Sequence, residues 1–187
     1  YVLDRYGADA LRFYLMSSPA VHAEDLNFSE RGVGEVSNKV IGRLLNVLSF
    51  YELNKDQQSN PSETLDSWIM SRLTQTRDAV EKSLDSYEID RAARPIADFI
   101  EDLSVWYIRR SRRRFQRPLS VDDHIAASMT LRTVLWELGT LLAPFTPFFA
   151  EIIYEHLGGQ ESVHLEDWPT TNLKLKTKNS QLIINQM

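Results

Sequence analysis

Cysteine is absent from this chain of 187 residues, and the four histidines are scattered along it. Without thiols there is no disulfide, no thiolate metal site and no cysteine nucleophile. None of the spacings typical of metal ligands separates the histidines, which are His22, His124, His156 and His164. Nucleophilic serine motifs and glycine-rich phosphate loops are missing too. We therefore expect neither a catalytic site nor a metal site in these residues.

Long apolar runs are also missing. No stretch of ~18 apolar residues occurs, which excludes a membrane-spanning helix, and no secretory signal is recognisable. We expect a cytoplasmic protein that has no membrane partner, and a monomer. Because the first residue is Tyr1 and not methionine, we also expect the chain to be a piece of a longer polypeptide.

The residues that are present follow a helical pattern through almost the whole chain, since apolar side chains recur every three or four positions. Hydrophobic residues make up 43% and charged residues 25%, as in globular domains that bury their own core. The sequence therefore predicts an all-α bundle of four to five helices. The predicted helices, with a short one ahead of the bundle, cover residues 8–17, 29–51, 64–86, 89–115, 123–142 and 147–157.

Shifts in composition divide the chain into three parts. Residues 1–28 are predicted to be a link, residues 29–169 the bundle, and residues 170–187 a tail that begins a truncated C-terminal region. The tail alternates apolar and basic residues in a strand-like pattern. Inside the bundle, the polar stretch 54–62 contains Pro61 and is predicted to connect two helices.

Several residues predict where helices begin or bend. Ser29 is the expected N-cap of the first bundle helix. Thr146, followed by Pro147, is the expected N-cap of the last one. Pro95 lies within the third bundle helix, which therefore begins near this residue or is kinked there.

Positive charge is concentrated in one block. The net charge is −5, yet residues 109–117 (RRSRRRFQR) hold six arginines and no acid, so the rest of the chain carries −11. Favourable interaction with the helix dipole accounts for only a few tenths of a kcal/mol per arginine. Six guanidinium groups repel one another unless an anion lies among them, and phosphate accepts their paired hydrogen bonds well. The block therefore predicts a surface that binds a polyanion.

A helical wheel at ~100° per residue predicts how the block is oriented. The apolar arc of the third bundle helix continues through two of the arginines, Arg110 and Arg114. The others face away from it or lie on its flank, namely Arg109, Arg112 and Arg113. Trp106 also falls on the arc, which favours a core position over a platform on which a base stacks.

A second polar stripe lies on the first bundle helix, where Lys39, Arg43 and Asn46 are four and three residues apart. A solvent-exposed face is the simpler interpretation. Contact with RNA becomes the better interpretation only if this stripe borders the arginine block.

Several strings resemble class I aminoacyl-tRNA synthetases. YGADALRFYL at 6–15 is similar to the segment after their mobile ATP-contacting loop, and LAPFTPFFAEIIYEHL at 142–157 to the last helices of their anticodon-binding bundle. Further strings favour the isoleucyl enzymes over the valyl enzymes, whose corresponding helix is usually less rich in arginine. These are DLNFSERGVGEVSNKVIGRLLNVLSFY at 25–51, LDSWIMSRL at 65–73, WYIRRSRRRF at 106–115 and SVHLEDWP at 162–169.

The resemblance implies the anticodon-binding bundle of a ligase that uses ATP and Mg²⁺ to attach isoleucine to its tRNA. Neither His-x-Gly-His nor Lys-Met-Ser-Lys-Ser occurs here, so the catalytic and editing domains, with any Zn²⁺ modules, are expected elsewhere in the same polypeptide. No cofactor is expected in this fragment, and tRNA is the implied partner. The candidate RNA-binding residues are Trp106, Arg109, Arg110, Arg112, Arg113 and Arg114, with Lys39, Arg43 and Asn46 in second rank. A valyl enzyme's domain, or a bundle that binds an acidic protein, are the alternatives.

Overall fold

The computed structural model describes residues 1–55 and 64–169. In these ranges it contains seven helices, two single 3₁₀ turns at Pro19–His22 and Val163–Leu165, and no strand. Two of the helices are interrupted by a π-helical turn. The helices are α1 (Val2–Tyr6), α2 (Ala8–Met16), α3 (Glu30–Val36, a π turn at Ser37–Gly42, then Arg43–Asn54), α4 (Thr64–Asp85), α5 (Ile89–Glu101, a π turn at Asp102–Ile108, then Arg109–Gln116), α6 (Val121–Leu142) and α7 (Pro147–His156).

The predicted all-α class is confirmed, with more helices than the four to five expected. Five of the seven lie within residues 29–169, and α2 is the short helix expected ahead of them. Helix α1 was not predicted, because five residues are too few to show a helical period. The division into link, bundle and tail stays a prediction. The tail at 170–187 and most of the connection at 54–62, including Pro61, lie outside the described residues.

The core lies between α3, α4, α5 and α6. The inner face of α5 is fully buried at three- and four-residue spacing, through Ile96, Phe99 and Leu103. Leu131 and Leu135 of α6 belong to the same buried cluster. Burial of each such side chain contributes ~1.5–3 kcal/mol, so this cluster fixes α5 along the middle of the bundle. Among the described helices, none has the length and apolarity needed to cross a bilayer.

The two predicted N-caps have different outcomes. Ser29 is confirmed, since its Oγ accepts a hydrogen bond from the Gly32 amide at 3.2 Å. Thr146 does occupy the N-cap position of α7, with Pro147 at the start of the helix, but its side chain makes no capping hydrogen bond. Instead Asp9 of α2 accepts hydrogen bonds from the first amides of α7, at 2.7 Å from Phe149 and 3.4 Å from Phe148. A carboxylate from a distant part of the chain thus satisfies the open end of this helix.

Tyr154 of α7 donates a hydrogen bond to Glu166 and so ties the segment after α7 to the bundle. Burial, and then this hydrogen bond, raises the pKa of Tyr154 to about 12. The folded state thus favours the neutral phenol. The resulting stabilisation is complete below pH ~10, the ordinary tyrosine pKa, and is lost as the pH rises toward about 12.

Tyr154→Phe should therefore destabilise the fold by an amount that shrinks as the pH is raised over this alkaline range. Urea unfolding at several pH values measures this difference, and absorbance of tyrosinate should show one late-titrating group fewer in the variant. Tyr87→Phe is the control, because Tyr87 is 87% exposed. A Tyr154→Phe effect that does not change with pH would contradict the assignment.

Candidate nucleic-acid interface

The last two turns of α5 carry four exposed arginines, which are Arg109, Arg110, Arg112 and Arg113. Within residues 1–55 and 64–169, none of these four side chains forms a hydrogen bond or an ion pair. Most other arginines of the described chain are paired with an acid, as Arg72 is with Asp102 and Arg91 with Glu88. Four guanidinium groups that have no acid partner among the described residues thus form one surface, which we call the arginine face.

Trp106 lies beside the arginine face, with the guanidinium carbon of Arg110 4.3 Å from the centre of its ring. The indole is 49% exposed. Together with Val105 and Arg109, these two side chains line a shallow groove of about 480 Å³. An aromatic ring and a planar cation at the surface offer two flat faces on which an unpaired base can stack.

The π turn at Asp102–Ile108 explains why the helical wheel placed Trp106 and Arg110 on the apolar arc and was wrong. A π turn takes one residue more than an α turn, so everything after it is rotated by about 100° relative to a uniform wheel. Ser111 and Phe115 therefore turn inward, and Phe115 packs edge-on against Phe50 at 4.9 Å. The same rotation brings Trp106 and Arg110 to the surface.

Arg114 requires a correction to the set of candidate RNA contacts. The wheel correctly placed it on the buried face, where it is only 8% exposed. It donates two hydrogen bonds to Asp66 of α4, at 2.8 and 3.0 Å, and a third to Asp123 of α6. Burial alone would lower the pKa of Arg114, but the bonds to the two acids outweigh it and raise that pKa. A guanidinium held in this way is not available to a bound RNA.

The second-rank stripe on α3 meets α5 at Glu101, eight residues before Arg109 of the arginine face, so its contact with RNA stays a prediction. Arg43 is 3.3 Å from Glu101, the residue just before the π turn of α5. Lys39 pairs with Glu35 on its own helix at 3.0 Å, and Asn46 is exposed. Because both cations already have acidic partners, the stripe adds less free positive charge than the arginine face.

Comparison with known families assigns the chain. The anticodon-binding domain of tRNA ligases, as a family, matches residues 66–187. This chain belongs to that family. The arginine face of α5 is thus a surface of an anticodon-binding domain.

Two curated relatives of this anticodon-binding domain carry the same name. The isoleucine–tRNA ligase of Chlamydia trachomatis serovar D is 44% identical over 179 residues, which is 90% of this chain and 17% of the relative. The isoleucine–tRNA ligase of Chlamydia pneumoniae is 43% identical over 185 residues, or 92% of this chain and 18% of the relative. The chain therefore spans less than a fifth of the length of these relatives.

A solved structure shares the fold of this anticodon-binding domain. It is the crystal structure of the ternary complex of Agrobacterium radiobacter K84 agnB2 LeuRS-tRNA-LeuAMS, with a TM-score of 0.62 and 21% identity. The match covers 91% of this chain and 21% of that one. At this identity the likeness establishes the fold alone.

Sequence reasoning missed the acids that hold Arg114, although one signal was present. Asp66 lies three and seven residues before Ile69 and Leu73, on the buried stripe of α4. An acid on an apolar stripe indicates a buried charged partner, and an arginine on the apolar arc of α5 has the matching charge. Asp123, in the first turn of α6, is ordinary for a helix N-terminus and gives no such signal.

Proposed function

We propose that this domain is part of an isoleucine–tRNA ligase and that its arginine face holds the anticodon stem-loop of isoleucine tRNA. The observation that carries the proposal is a set of four exposed arginines, with no acid partner in residues 1–55 and 64–169, on the fold of an anticodon-binding domain. The names of the relatives, at 43–44% identity, support isoleucine over valine. ATP, Mg²⁺ and isoleucine would bind to the catalytic domain, outside these 187 residues.

The arginine face would make two kinds of contact with the RNA. Arg109, Arg112 and Arg113 point outward and supply charge to phosphate oxygens, which fixes the register of the RNA. Trp106 with Arg110 supplies flat surfaces for a base splayed out of the loop. Because the rest of the chain is acidic, other faces repel RNA and direct it to this one.

Trp106→Ala should weaken binding of isoleucine tRNA by roughly 5- to 150-fold, the equivalent of one lost base–aromatic stack of ~1–3 kcal/mol. The slope of log affinity against log salt should stay the same, because the indole carries no charge. Filter binding at several salt concentrations measures both quantities.

Tyr87→Ala is the matched control for the Trp106 variant. It removes an aromatic ring that is 87% exposed, but Tyr87 precedes α5 and lies 18 residues before Val105, the first residue of the groove, or roughly 25 Å along the helix. Its affinity for tRNA should equal that of the wild type. If Trp106→Ala also binds like the wild type, no base stacks at this groove.

The amino-acid assignment is tested with the full-length protein. Exchange of pyrophosphate into ATP should depend on isoleucine, and the protein should bind isoleucine tRNA more tightly than valine tRNA. Exchange that depends on valine would assign the domain to the valyl enzyme instead. Affinity that is equal for all tRNAs would remove the anticodon from the proposal and leave a nonspecific RNA surface.

A further inference from the structure

We infer that Asp66 is a positioning residue for tRNA binding, because it holds the arginine-bearing end of α5 in one rotational register. The inference rests on the proposed function of the arginine face. It concerns a buried carboxylate on another helix, α4, which does not touch the RNA.

Asp66 meets α5 at two points. Its Oδ1 accepts hydrogen bonds from the Tyr107 hydroxyl and from Arg114 Nη1, both at 2.8 Å. Its Oδ2 accepts from Arg114 Nη2 at 3.0 Å. Asp66 is 2% exposed and Tyr107 is fully buried. Burial, and then the charge of Asp66, raises the pKa of Tyr107, so its hydroxyl keeps the proton that it donates.

The spacing of the two contacts determines the orientation of the helix. Tyr107 and Arg114 are seven residues apart, about two turns or ~10 Å along the axis. Helical side chains lean toward the N-terminus, which lets Arg114 reach back to the carboxylate that Tyr107 also contacts. Two contacts on one side of a helix fix both its rotation and its position along the axis. Arg109 and Arg112 lie between them in sequence and face the opposite way.

The π turn makes this anchoring necessary. π-helical turns are rare, and a uniform α-helix is the ordinary conformation of such a segment. If Asp102–Ile108 became α-helical, the residues after it would rotate by about 100°, and Arg110 would turn toward the core. Arg114 would rotate with them and stay on the buried side, but it would leave the position from which it reaches Asp66 of α4. The buried carboxylate thus favours the register in which Trp106 and Arg110 are exposed.

The test uses the full-length protein with the paired substitution Asp66→Leu and Arg114→Met. Apolar residues of similar volume replace the buried ion pair, an exchange that commonly preserves folding. We expect tRNA affinity to fall about tenfold, roughly the effect of losing one phosphate contact, although all four outward arginines remain. Hydrogen exchange should become faster in residues 102–116 and stay unchanged in α7, which neither substitution touches.

A matched control separates positioning from a general loss of stability. Arg77→Met with Glu137→Leu makes the same kind of exchange at another buried ion pair of α4, which lies 11 residues, or roughly 16 Å along the helix, from Asp66. This control should bind tRNA like the wild type. If the two double variants bind equally well, or if the Asp66 pair binds within twofold of the wild type, the inference is overturned.

A second variant tests the positioning role of Asp66 if the double variant at Asp66 and Arg114 does not fold. Tyr107→Phe removes one of the two contacts and keeps the ion pair, and we expect tRNA affinity to fall about threefold with faster exchange at 102–108. Wild-type affinity in this variant would overturn the inference. A third result would separate the two proposals. If replacement of the outward arginines abolishes binding but the Asp66 and Tyr107 variants bind normally, the proposed function is supported and the positioning role of Asp66 is overturned.

Discussion

Simultaneous replacement of Arg109, Arg110, Arg112 and Arg113 by alanine should lower the affinity for isoleucine tRNA by about a hundredfold or more at ~0.1 M salt. Each guanidinium that contacts a phosphate releases counterions, so the loss should grow as the salt concentration is lowered. The slope of log affinity against log salt should become shallower by roughly one unit per lost contact. Filter binding over a range of salt concentrations measures both effects.

The fold should be almost unaffected by the same four substitutions. Among the described residues these side chains have no acid partner, so their removal leaves no buried group unpaired. Relief of their mutual repulsion is a small stabilising contribution. We therefore expect the free energy of unfolding to change by less than about 0.5 kcal/mol per residue.

A control variant with the same change in net charge shows whether tRNA binding depends on the arginine face or only on the total charge of the domain. Four exposed cations elsewhere in the described chain each pair with an acid, and they are Arg31, Lys55, Arg91 and Arg94. Their replacement by alanine should lower tRNA affinity only slightly. Equal losses in both variants would show that net charge alone matters. Unchanged tRNA affinity in the arginine-face variant would favour an acidic protein as the partner of that surface.

Arg77→Ala should cause one of the largest losses of stability for a single substitution in this domain, about 3–5 kcal/mol. Arg77 is 1% exposed and donates to Glu137 of α6 at 2.8 Å, with Asp78 at 3.3 Å. Without the guanidinium, the Glu137 carboxylate stays buried and uncompensated. Burial already raises the pKa of Glu137, and Arg77 opposes that shift.

The pH dependence of the Arg77 variant follows from the same charges. Protonated Glu137 carries no charge, so the cost of the missing guanidinium should shrink as the pH falls through the pKa of this carboxyl group. Urea unfolding at neutral and acidic pH measures the change. Arg31→Ala is the control, because that guanidinium is 89% exposed and should contribute less than about 1 kcal/mol. A neutral-pH cost for Arg77→Ala as small as this would mean that the buried pair contributes nothing to holding α4 against α6.

The helices were predictable because their apolar periods are long and their ends carry local signals. Ser29 shows this, since its capping bond depends on a residue three positions away. Asp9 shows the limit, because it caps α7 from α2, and no local pattern joins residues 9 and 149. Thr146 has the right residue type for a cap, but tertiary contacts give that role to another side chain.

The concentration of positive charge at the candidate site was predictable from the sequence, but the orientation of its side chains was not. Six arginines in nine residues were visible in the sequence, whereas the π turn that exposes Trp106 has no sequence signature at this level. A uniform wheel therefore placed Arg110 inside, where the structure has Ser111. Arg114 was correctly placed on the buried side, but its partner Asp66 lies on another helix and is identified only by the tertiary packing.

Photo-cross-linking from Val105 tests the central claim most directly. Val105 is 40% exposed and lines the groove with Trp106 and Arg109, so a photoreactive residue there samples whatever lies on the arginine face. In the full-length protein bound to isoleucine tRNA, we predict cross-links to nucleotides of the anticodon loop. Cross-links confined to the acceptor arm, or none while the tRNA is bound, would contradict the assignment of this face to the anticodon.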